Sequence, residues 1–188
     1  CPSHTACRSR GAHPYAAAAT RGSALRADPF PGGPDRLTDG GSKYTYSNVR
    51  RWSKKFDPFA CEHIFCPVNL HNTHWTLAVV SVQEKQIRYY DSMGGGGALY
   101  LQSLLSYMKD EAAKRDVNFD SNEWTLSAAS RSEYPQQGNG YDCGVFCMTA
   151  VDFLSDGLPL SFSQKDMSLF RRRAAADILR QSLLYQLH

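Results

Sequence analysis

The stretch HWTLAVVSVQEKQIRYYDS, residues 74–92, decides the fold because two apolar runs flank a short polar segment in it. Residues 74–82 and 86–92 are rich in β-branched and aromatic side chains, and the Gln-Glu-Lys between them is typical of a hairpin loop. The near-continuous apolar character of both runs predicts central strands that are covered on both faces. Pairing of the two strands sets the start of the first against the end of the second. His74 and Asp91 are therefore expected to lie close together at one end of the sheet.

Further segments complete an α+β pattern of strands flanked by helices. The apolar runs at residues 63–70 and 123–130 predict two more strands. Apolar residues at helical spacing predict three helices, over residues 98–116, 143–157 and 163–184. Gly157 is expected to end the second of them, and Ser163 with Asp166 resembles a capping box before the third.

Composition divides the chain into an atypical start and one globular domain. The chain has 188 residues, of which 42% are hydrophobic, which suits a single domain with a sizeable core. Residues 1–42 are rich in Ala, Gly, Pro and Arg without an apolar period, which predicts a poorly structured segment before a domain at 43–188. No apolar run approaches the roughly 20 residues of a membrane helix, and the start lacks the apolar core of a signal peptide. The chain opens on Cys rather than Met, which is expected of a fragment.

Charge and cysteine content argue against two other classes of protein. The net charge of +3 is small, and the basic runs at 50–55 and 171–173 are interpreted as solvated surface rather than as a nucleic-acid site. The six cysteines could form three disulfides, but in a chain of this length without a secretory signal, reduced thiols are favoured.

Two ligand sites that the composition suggests, a phosphate-binding loop and a zinc site, are not favoured by the residue spacing. The glycine run at 94–97 lacks the Lys-Ser/Thr of a phosphate-binding loop, so a flexible connection is the favoured interpretation. Five potential zinc ligands lie close in sequence, namely Cys61, His63, Cys66, His71 and His74. Their spacing fits no common zinc finger, and alternate residues of a strand point to opposite faces. We therefore expect neither a metal nor another cofactor.

One set of residue types has the composition of a thiol hydrolase. Cys143 stands at a predicted helix start, where the helix dipole favours a thiolate, after a polar loop rich in glycine. His74 could take the thiol proton and Asp91 could orient the imidazole. Gln136 or Gln137 could join the Cys143 amide in stabilising an oxyanion. Cys147, one turn further along the helix, is interpreted as a buried, inert thiol.

Two motifs resemble one known family. NTHWTLAVVSVQEKQIRYYDSMGG at 72–95 and PQQGNGYDCGVFC at 135–147 are similar to the SUMO-specific branch of the ubiquitin-like protein cysteine proteases. That family has a His-Trp strand, a Tyr-Asp-Ser turn and a nucleophile loop that ends in Asp-Cys-Gly. The resemblance extends over about residues 43–187. It implies a papain-like α+β fold with a central, mostly antiparallel sheet flanked by helices.

The resemblance also implies a role for each catalytic residue. Cys143 would be the nucleophile, His74 the general base and then acid, and Asp91 the residue that orients the imidazole. Gln137 matches the oxyanion-hole glutamine of the family, and its neighbour Gln136 is the weaker candidate.

The implied substrate is the C-terminal Gly-Gly tail of SUMO, cleaved from a target lysine or from a precursor. Trp75 would cover the tunnel that holds this tail, with plain core packing as the other interpretation. Gly138 and Gly140 would let the loop turn tightly and let the backbone approach the substrate. The expected partners are SUMO and SUMO-conjugated proteins, with no membrane or nucleic acid. A monomer in the nucleus is expected, with the cytoplasm as a second compartment.

Family catalytic domains carry further elements before the segment that matches residues 50–52, including a second tunnel tryptophan and part of the docking surface. Residues 1–42 do not resemble those elements. The alternatives are a protease for another ubiquitin-like modifier, an acyltransferase with the same triad, or a truncated pseudoenzyme that only binds SUMO.

Overall fold

The computed structural model describes residues 44–180 and, before them, the backbone of two short strands, Ala19–Thr20 and Ser23–Leu25. Apart from these strands, the prediction for residues 1–42 lies outside the described residues and stays a prediction.

A six-stranded mixed sheet lies at the centre of the protein, with its strands in chain order. The strands are β1 (Ala19–Thr20), β2 (Ser23–Leu25), β3 (His63–Leu70), β4 (His74–Ser81), β5 (Gln86–Tyr90) and β6 (Thr125–Ala128). Pairing is antiparallel from β3 through β5 and between β1 and β2, whereas β2 joins β3, and β5 joins β6, in parallel. The α+β fold with a mostly antiparallel central sheet is therefore confirmed.

The hairpin formed by β4 and β5 has the predicted register. Leu77 pairs with Tyr90, and Ser81 pairs with Gln86 on either side of the loop. β4 ends one residue before its predicted limit, and β5 ends two residues before its own, since the chain leaves the sheet at Asp91. The start of β4 therefore lies beside the turn that follows β5.

Four α-helices accompany the sheet within residues 44–180: α1 (Tyr46–Val49), α2 (Ala98–Lys114), α3 (Cys143–Ser155) and α4 (Met167–Arg180). After α3 ends, Gly157 adopts a left-handed conformation with φ of 69°, as expected for a glycine that stops a helix. The predicted capping box is present, and in it the backbone amide and the hydroxyl of Ser163 both donate to Asp166 Oδ2 at 2.8 Å. It precedes a short 3₁₀ turn that leads into α4.

Both faces of the sheet are covered, which confirms the prediction for the central strands. Ala78 on one face of β4 lies in a buried cluster with Met108 of α2. Leu77 on the opposite face lies in a second cluster with Phe146 of α3. Burying each large apolar side chain stabilises the fold by about 1.5–3 kcal/mol. The strand that begins at His74 is thus held rigidly between two packed layers.

The glycine run before α2 has specific steric roles. Gly94 and Gly97 both have positive φ, at 84° and 58°. A Cβ atom at Gly97 would lie 2.4 Å from the ring of Tyr89, which is closer than real side chains approach. Close packing of the backbone on a buried tyrosine explains this glycine better than a need for flexibility does.

The four cysteines among residues 44–180 are free thiols. Burial raises the pKa of Cys66 to about 12.

Within the described part of the chain, no three His, Cys, Asp or Glu side chains are grouped as metal ligands. His63 instead lies 3.0 Å from the hydroxyl of Ser81, and the thiol of Cys61 donates to the carbonyl of Asp57. Across the same residues, no helix is long and apolar enough to cross a membrane.

Candidate active site

His74 and Asp91 form a hydrogen-bonded pair at one end of the sheet. Nε2 of His74 lies 2.7 Å from Oδ1 of Asp91, and the two side chains are 14% and 6% exposed. The predicted contact is confirmed. An ionised carboxylate only accepts hydrogen bonds, so Nε2 is the donor of this pair, and Nδ1 of the neutral imidazole is left with a lone pair. The imidazole is therefore oriented as a base through Nδ1.

The turn after β5 holds the carboxylate of Asp91 in place. Its Oδ1 also accepts from the backbone amide of Met93 at 2.7 Å, and its Oδ2 accepts from the amide of Gly95 at 3.0 Å. A Cβ atom at Gly95 would lie 2.4 Å from Oδ2, so the glycine allows this close approach. Three donors thus fix both oxygens of the group that orients His74.

Cys143 is the first residue of α3 and is buried. The first hydrogen bond of the helix runs from the amide of Phe146 to the carbonyl of Asp142 at 2.9 Å. The amides that precede Phe146, including that of Cys143, have no acceptor within the helix and concentrate partial positive charge at its start. This position suits both a thiolate and an oxyanion that forms next to it.

Packing of α3 on β4 brings the cysteine to the histidine end of the sheet. One turn after Cys143, the thiol of Cys147 lies 3.5 Å from the carbonyl of Thr76. A Cβ atom at Gly144 would lie 3.7 Å from Cδ1 of Trp75. Because Trp75 directly follows His74, the first turn of α3 lies against the first residues of β4.

Cys147 is buried, as the sequence predicts. Burial, and to a smaller extent the proximity of Cys143, raises the pKa of its thiol to about 12. At neutral pH this group is therefore a thiol, which suits a structural role and not a nucleophilic one.

Gln137 lies in the loop that precedes α3 and contacts the turn that follows Asp91. Its backbone amide donates to the carbonyl of Ser92 at 2.9 Å, and its Oε1 accepts from the hydroxyl of Ser92 at 2.5 Å. Its Nε2 donates to the carbonyl of Asn139. The side chain is thus fixed between the turn that follows Asp91 and the loop that leads to Cys143.

The side chain of Gln136 has different hydrogen-bond partners from that of Gln137. Its Nε2 donates to the carbonyl of Tyr134 at 2.9 Å and more weakly to that of Asp91 at 3.4 Å. These contacts engage both hydrogens of its amide nitrogen, whereas Gln137 Nε2 has one backbone acceptor, the Asn139 carbonyl, which favours Gln137 as the oxyanion donor.

A network around Asp142 anchors the loop before Cys143 to α4, and the sequence alone did not identify it. One carboxylate oxygen accepts from Asn139 Nδ2 at 2.7 Å and from Gln164 Nε2 at 2.8 Å, and the other accepts from Arg171 at 2.5 Å. Gln164 Oε1 also accepts from the amide of Gly138 at 2.6 Å. The pattern Asn-Gly-x-Asp signals a local turn, because Asn139 Oδ1 accepts from the amide of Asp142 at 3.0 Å. No local signal identifies Gln164 or Arg171 as partners.

The environment of Asp142 favours its charged form. Burial by itself raises the pKa of this carboxyl, but the hydrogen bonds from Asn139, Arg171 and Gln164, with the charge of Arg171, outweigh burial and lower it. The carboxylate of Asp142, the residue directly before Cys143, is thereby held in an ion pair with Arg171.

The residues predicted to contact substrate have different surroundings. Trp75 is partly buried against the second cluster and also borders Gly144 at the start of α3. Gly138 and Gly140 have no positive φ, and the expectation that they let the loop turn tightly and let the backbone approach the substrate stays a prediction. Among the described residues, no atom lies within 4 Å of a Cβ placed at Gly140, which leaves space for an approaching chain.

Known proteins are similar to this chain in sequence and in fold. Residues 34–183 match the family model described as the Ulp1 protease family, C-terminal catalytic domain. The chain is 42% identical over 146 residues to the putative ubiquitin-like-specific protease 1B of Arabidopsis thaliana. The matched region covers 74% of this chain and 42% of that relative. The chain thus spans less than half the length of this relative.

Several solved structures are similar to this chain, and two of them show the relationship. One is the SUMO protease Ulp1 with its catalytic cysteine oxidised to a sulfonic acid, at 32% identity and a TM-score of 0.66, covering 77% of this chain and 64% of that one. The other is the C-terminal protease domain of Ulp1 in complex with Smt3, the yeast orthologue of SUMO, at 34% identity and a TM-score of 0.61, covering 72% of this chain and 61% of that one. Since the family match extends over residues 34–183 of 188, the chain belongs to the Ulp1 protease family.

Proposed function

We propose that this protein is a cysteine peptidase that cleaves the bond after the C-terminal Gly-Gly of SUMO. The observation that carries the proposal is the 2.7 Å hydrogen bond from His74 to Asp91, at the end of the strand on which the Cys143 helix packs. The bond leaves Nδ1 of His74 as the basic nitrogen, as a thiol peptidase requires.

In the proposed reaction, His74 takes the proton of Cys143, and the thiolate attacks the carbonyl carbon of the terminal glycine. The resulting oxyanion accepts hydrogen bonds from the Cys143 amide and from Gln137 Nε2. Collapse of the tetrahedral intermediate expels the lysine amine, which His74 protonates, and leaves a thioester on Cys143. His74 then activates water, which releases the SUMO carboxylate and the free thiol. Asp91 keeps the imidazole in one tautomer through both steps.

The proposed substrate rests on family membership and on the residues around Cys143. The Ulp1 domain with 34% identity to this chain was solved with a SUMO orthologue. Trp75 borders the helix start, where it would cover a narrow Gly-Gly tail, and Gly140 leaves open space for that tail on the loop side. Glycine is the residue type that such a narrow passage admits, because it has no side chain.

The proposed partners are SUMO, its precursor and SUMO-conjugated proteins, and the protein is expected to act as a monomer. A nuclear location is proposed from the family resemblance and the basic runs at 50–55 and 171–173, with the cytoplasm as a second compartment.

A vinyl-sulfone derivative of SUMO tests the proposal directly. We expect a covalent adduct with the wild-type chain and none with Cys143→Ala or Cys143→Ser, and peptide mapping should place the adduct on Cys143. The equivalent ubiquitin probe is the specificity control. Labelling of both variants, or labelling on Cys147, would refute the assignment of the nucleophile. A folded wild-type chain that binds SUMO without reacting would instead identify a pseudoenzyme.

A further inference from the structure

Ser92 and Gln137 form a two-point contact between the turn that carries Asp91 and the loop that precedes Cys143. The Gln137 amide donates to the Ser92 carbonyl at 2.9 Å, and the Ser92 hydroxyl lies 2.5 Å from Gln137 Oε1. Ser92 is only 2% exposed, so water does not compete effectively for this hydroxyl.

The partners of Gln137 determine which way its amide is oriented. The Asn139 carbonyl only accepts, so the end of the amide that faces it must be the nitrogen. The oxygen therefore faces Ser92, whose hydroxyl must act as the donor. An amide nitrogen carries two hydrogens, and the Asn139 carbonyl takes one, which leaves the other for a substrate oxygen.

We infer that Ser92 is a positioning residue that holds the Gln137 side chain as an oxyanion donor. This inference rests on the proposed function, and it deepens that function by assigning a task to a residue that does not touch the reacting atoms. Without the Ser92 hydroxyl, Gln137 Oε1 would lose its donor, and the amide could rotate away or flip. An oxyanion donor works because it is oriented before the charge develops, so a mobile amide is a poorer donor.

The location of Ser92 links two parts of the site through one peptide unit. Asp91 orients His74 through its carboxylate, and Ser92 orients Gln137 through its hydroxyl. The base and the oxyanion donor are thus held by consecutive residues of the same turn. The contribution of Ser92 must therefore be separated experimentally from that of its neighbour.

The first experiment needs no substrate. In a two-dimensional ¹⁵N–¹H NMR spectrum, the side-chain amide of Gln137 is assigned by its loss in Gln137→Ala. In the wild type we expect the two NH₂ protons of Gln137 to have widely separated chemical shifts and to exchange slowly with water. In Ser92→Ala we expect chemical shifts close to those of a free glutamine. A free-glutamine signal in the wild type, or an unchanged signal in Ser92→Ala, would overturn the inference.

The second experiment compares a reaction that forms an oxyanion with one that does not. Hydrolysis of a coumarin amide of SUMO forms a tetrahedral oxyanion, whereas alkylation of Cys143 by iodoacetamide only displaces iodide. We expect Ser92→Ala to lower kcat about tenfold with KM unchanged, and to leave the alkylation rate within twofold of the wild type. An equal loss in both reactions would show that Ser92 acts through Asp91 and His74, and would contradict the inference.

A double-mutant cycle and a matched control complete the test. In a Gln137→Ala background, Ser92→Ala should lower kcat by less than twofold further, because the group it positions is gone. Ser103→Ala removes an equally buried hydroxyl from α2 and should leave kcat unchanged. Multiplicative losses in the double mutant would count against the inference. If the wild type hydrolyses no SUMO substrate, the proposed function fails, while the NMR experiment still decides the Ser92–Gln137 contact.

Discussion

His74 Nε2 lies 2.7 Å from Asp91 Oδ1, although 17 residues separate the two along the chain. The hairpin register brings the start of β4 beside the turn after β5, and the amides of Met93 and Gly95 then fix the carboxylate. The geometry specifies both which imidazole nitrogen donates and which one is available as a base. It has direct consequences for substitutions at Asp91.

Replacing Asp91 with Asn should lower kcat/KM for a SUMO coumarin amide by about two to four orders of magnitude. The side-chain amide can present its NH₂ to Nε2, which would move the imidazole hydrogen to Nδ1 and block the base. Thermal unfolding by circular dichroism serves as the control, since Asn has the same shape as Asp. A folded Asn variant with more than half of the wild-type activity would rule out this role of the carboxylate.

Alkylation should distinguish the two cysteines of α3. Because the pKa of Cys147 is raised to about 12, we expect iodoacetamide at pH 8 to modify Cys143 and to leave Cys147 unmodified in the folded chain. Fragment-ion mass spectrometry locates the label, and denatured protein, in which both sites react, is the control. Modification of Cys147 at a rate similar to that of Cys143 would contradict the assignment.

Replacing Trp75 with Ala should raise KM for the SUMO substrate about tenfold or more, because the indole lies over the start of α3. The rate of Cys143 alkylation should change by less than twofold. Trp124 is another partly buried tryptophan that packs on the α2 side of the sheet, so Trp124→Ala is the matched control. A KM that is unchanged in Trp75→Ala would leave core packing as the role of this side chain.

The Asp142 network should make stability depend on pH in the acid range. The pKa of Asp142 is lowered in the folded state, so the stability it contributes is present above its unfolded pKa of about 3.9 and is lost as the pH falls through the folded value. At pH 7 we expect Asp142→Asn to reduce the free energy of unfolding by about 2 kcal/mol. This difference should shrink between pH 5 and pH 3 in urea unfolding experiments. A difference that stays constant over that range would show that the charge on Asp142 is not responsible.

Two neighbouring glycines provide a matched pair for stability. Gly97→Ala should reduce the free energy of unfolding by about 2–4 kcal/mol, because a Cβ would overlap the buried Tyr89 ring at a position with φ of 58°. Gly96 has no positive φ and no described atom within 4 Å of a Cβ, so Gly96→Ala should be neutral or stabilise by up to about 1 kcal/mol. Equal effects of the two substitutions in urea unfolding would contradict this steric explanation.

Much of the fold is predictable because it depends on local patterns. The β4–β5 hairpin follows from two near-continuous apolar runs on either side of a short polar loop, and the helix start at Cys143 follows from the change to helical spacing. The capping box at Ser163 is a four-residue signal and is found where the sequence indicates it. Each of these features depends on residues within one element or one turn.

Local patterns do not identify contacts between distant elements. The glycine run at 94–97 has the composition of a flexible connection. Gly97 is nevertheless required, because its backbone packs against the ring of Tyr89 in β5. The loop that contains Gly138 and Gly140 is likewise held by a side chain from a distant part of the chain, since Gln164 Oε1 accepts from the amide of Gly138 at 2.6 Å.

The sequence by itself determined the strand order of the hairpin, the helix that begins at Cys143 and the residue types available for thiol chemistry, because these depend on periodicity and on motifs of a few residues. Only the tertiary structure decided that Ser92 donates to Gln137 and that Arg171 pairs with Asp142. Those pairs are 45 and 29 residues apart, and polar side chains at such separations find their partners only after the packed layers have fixed where each element lies.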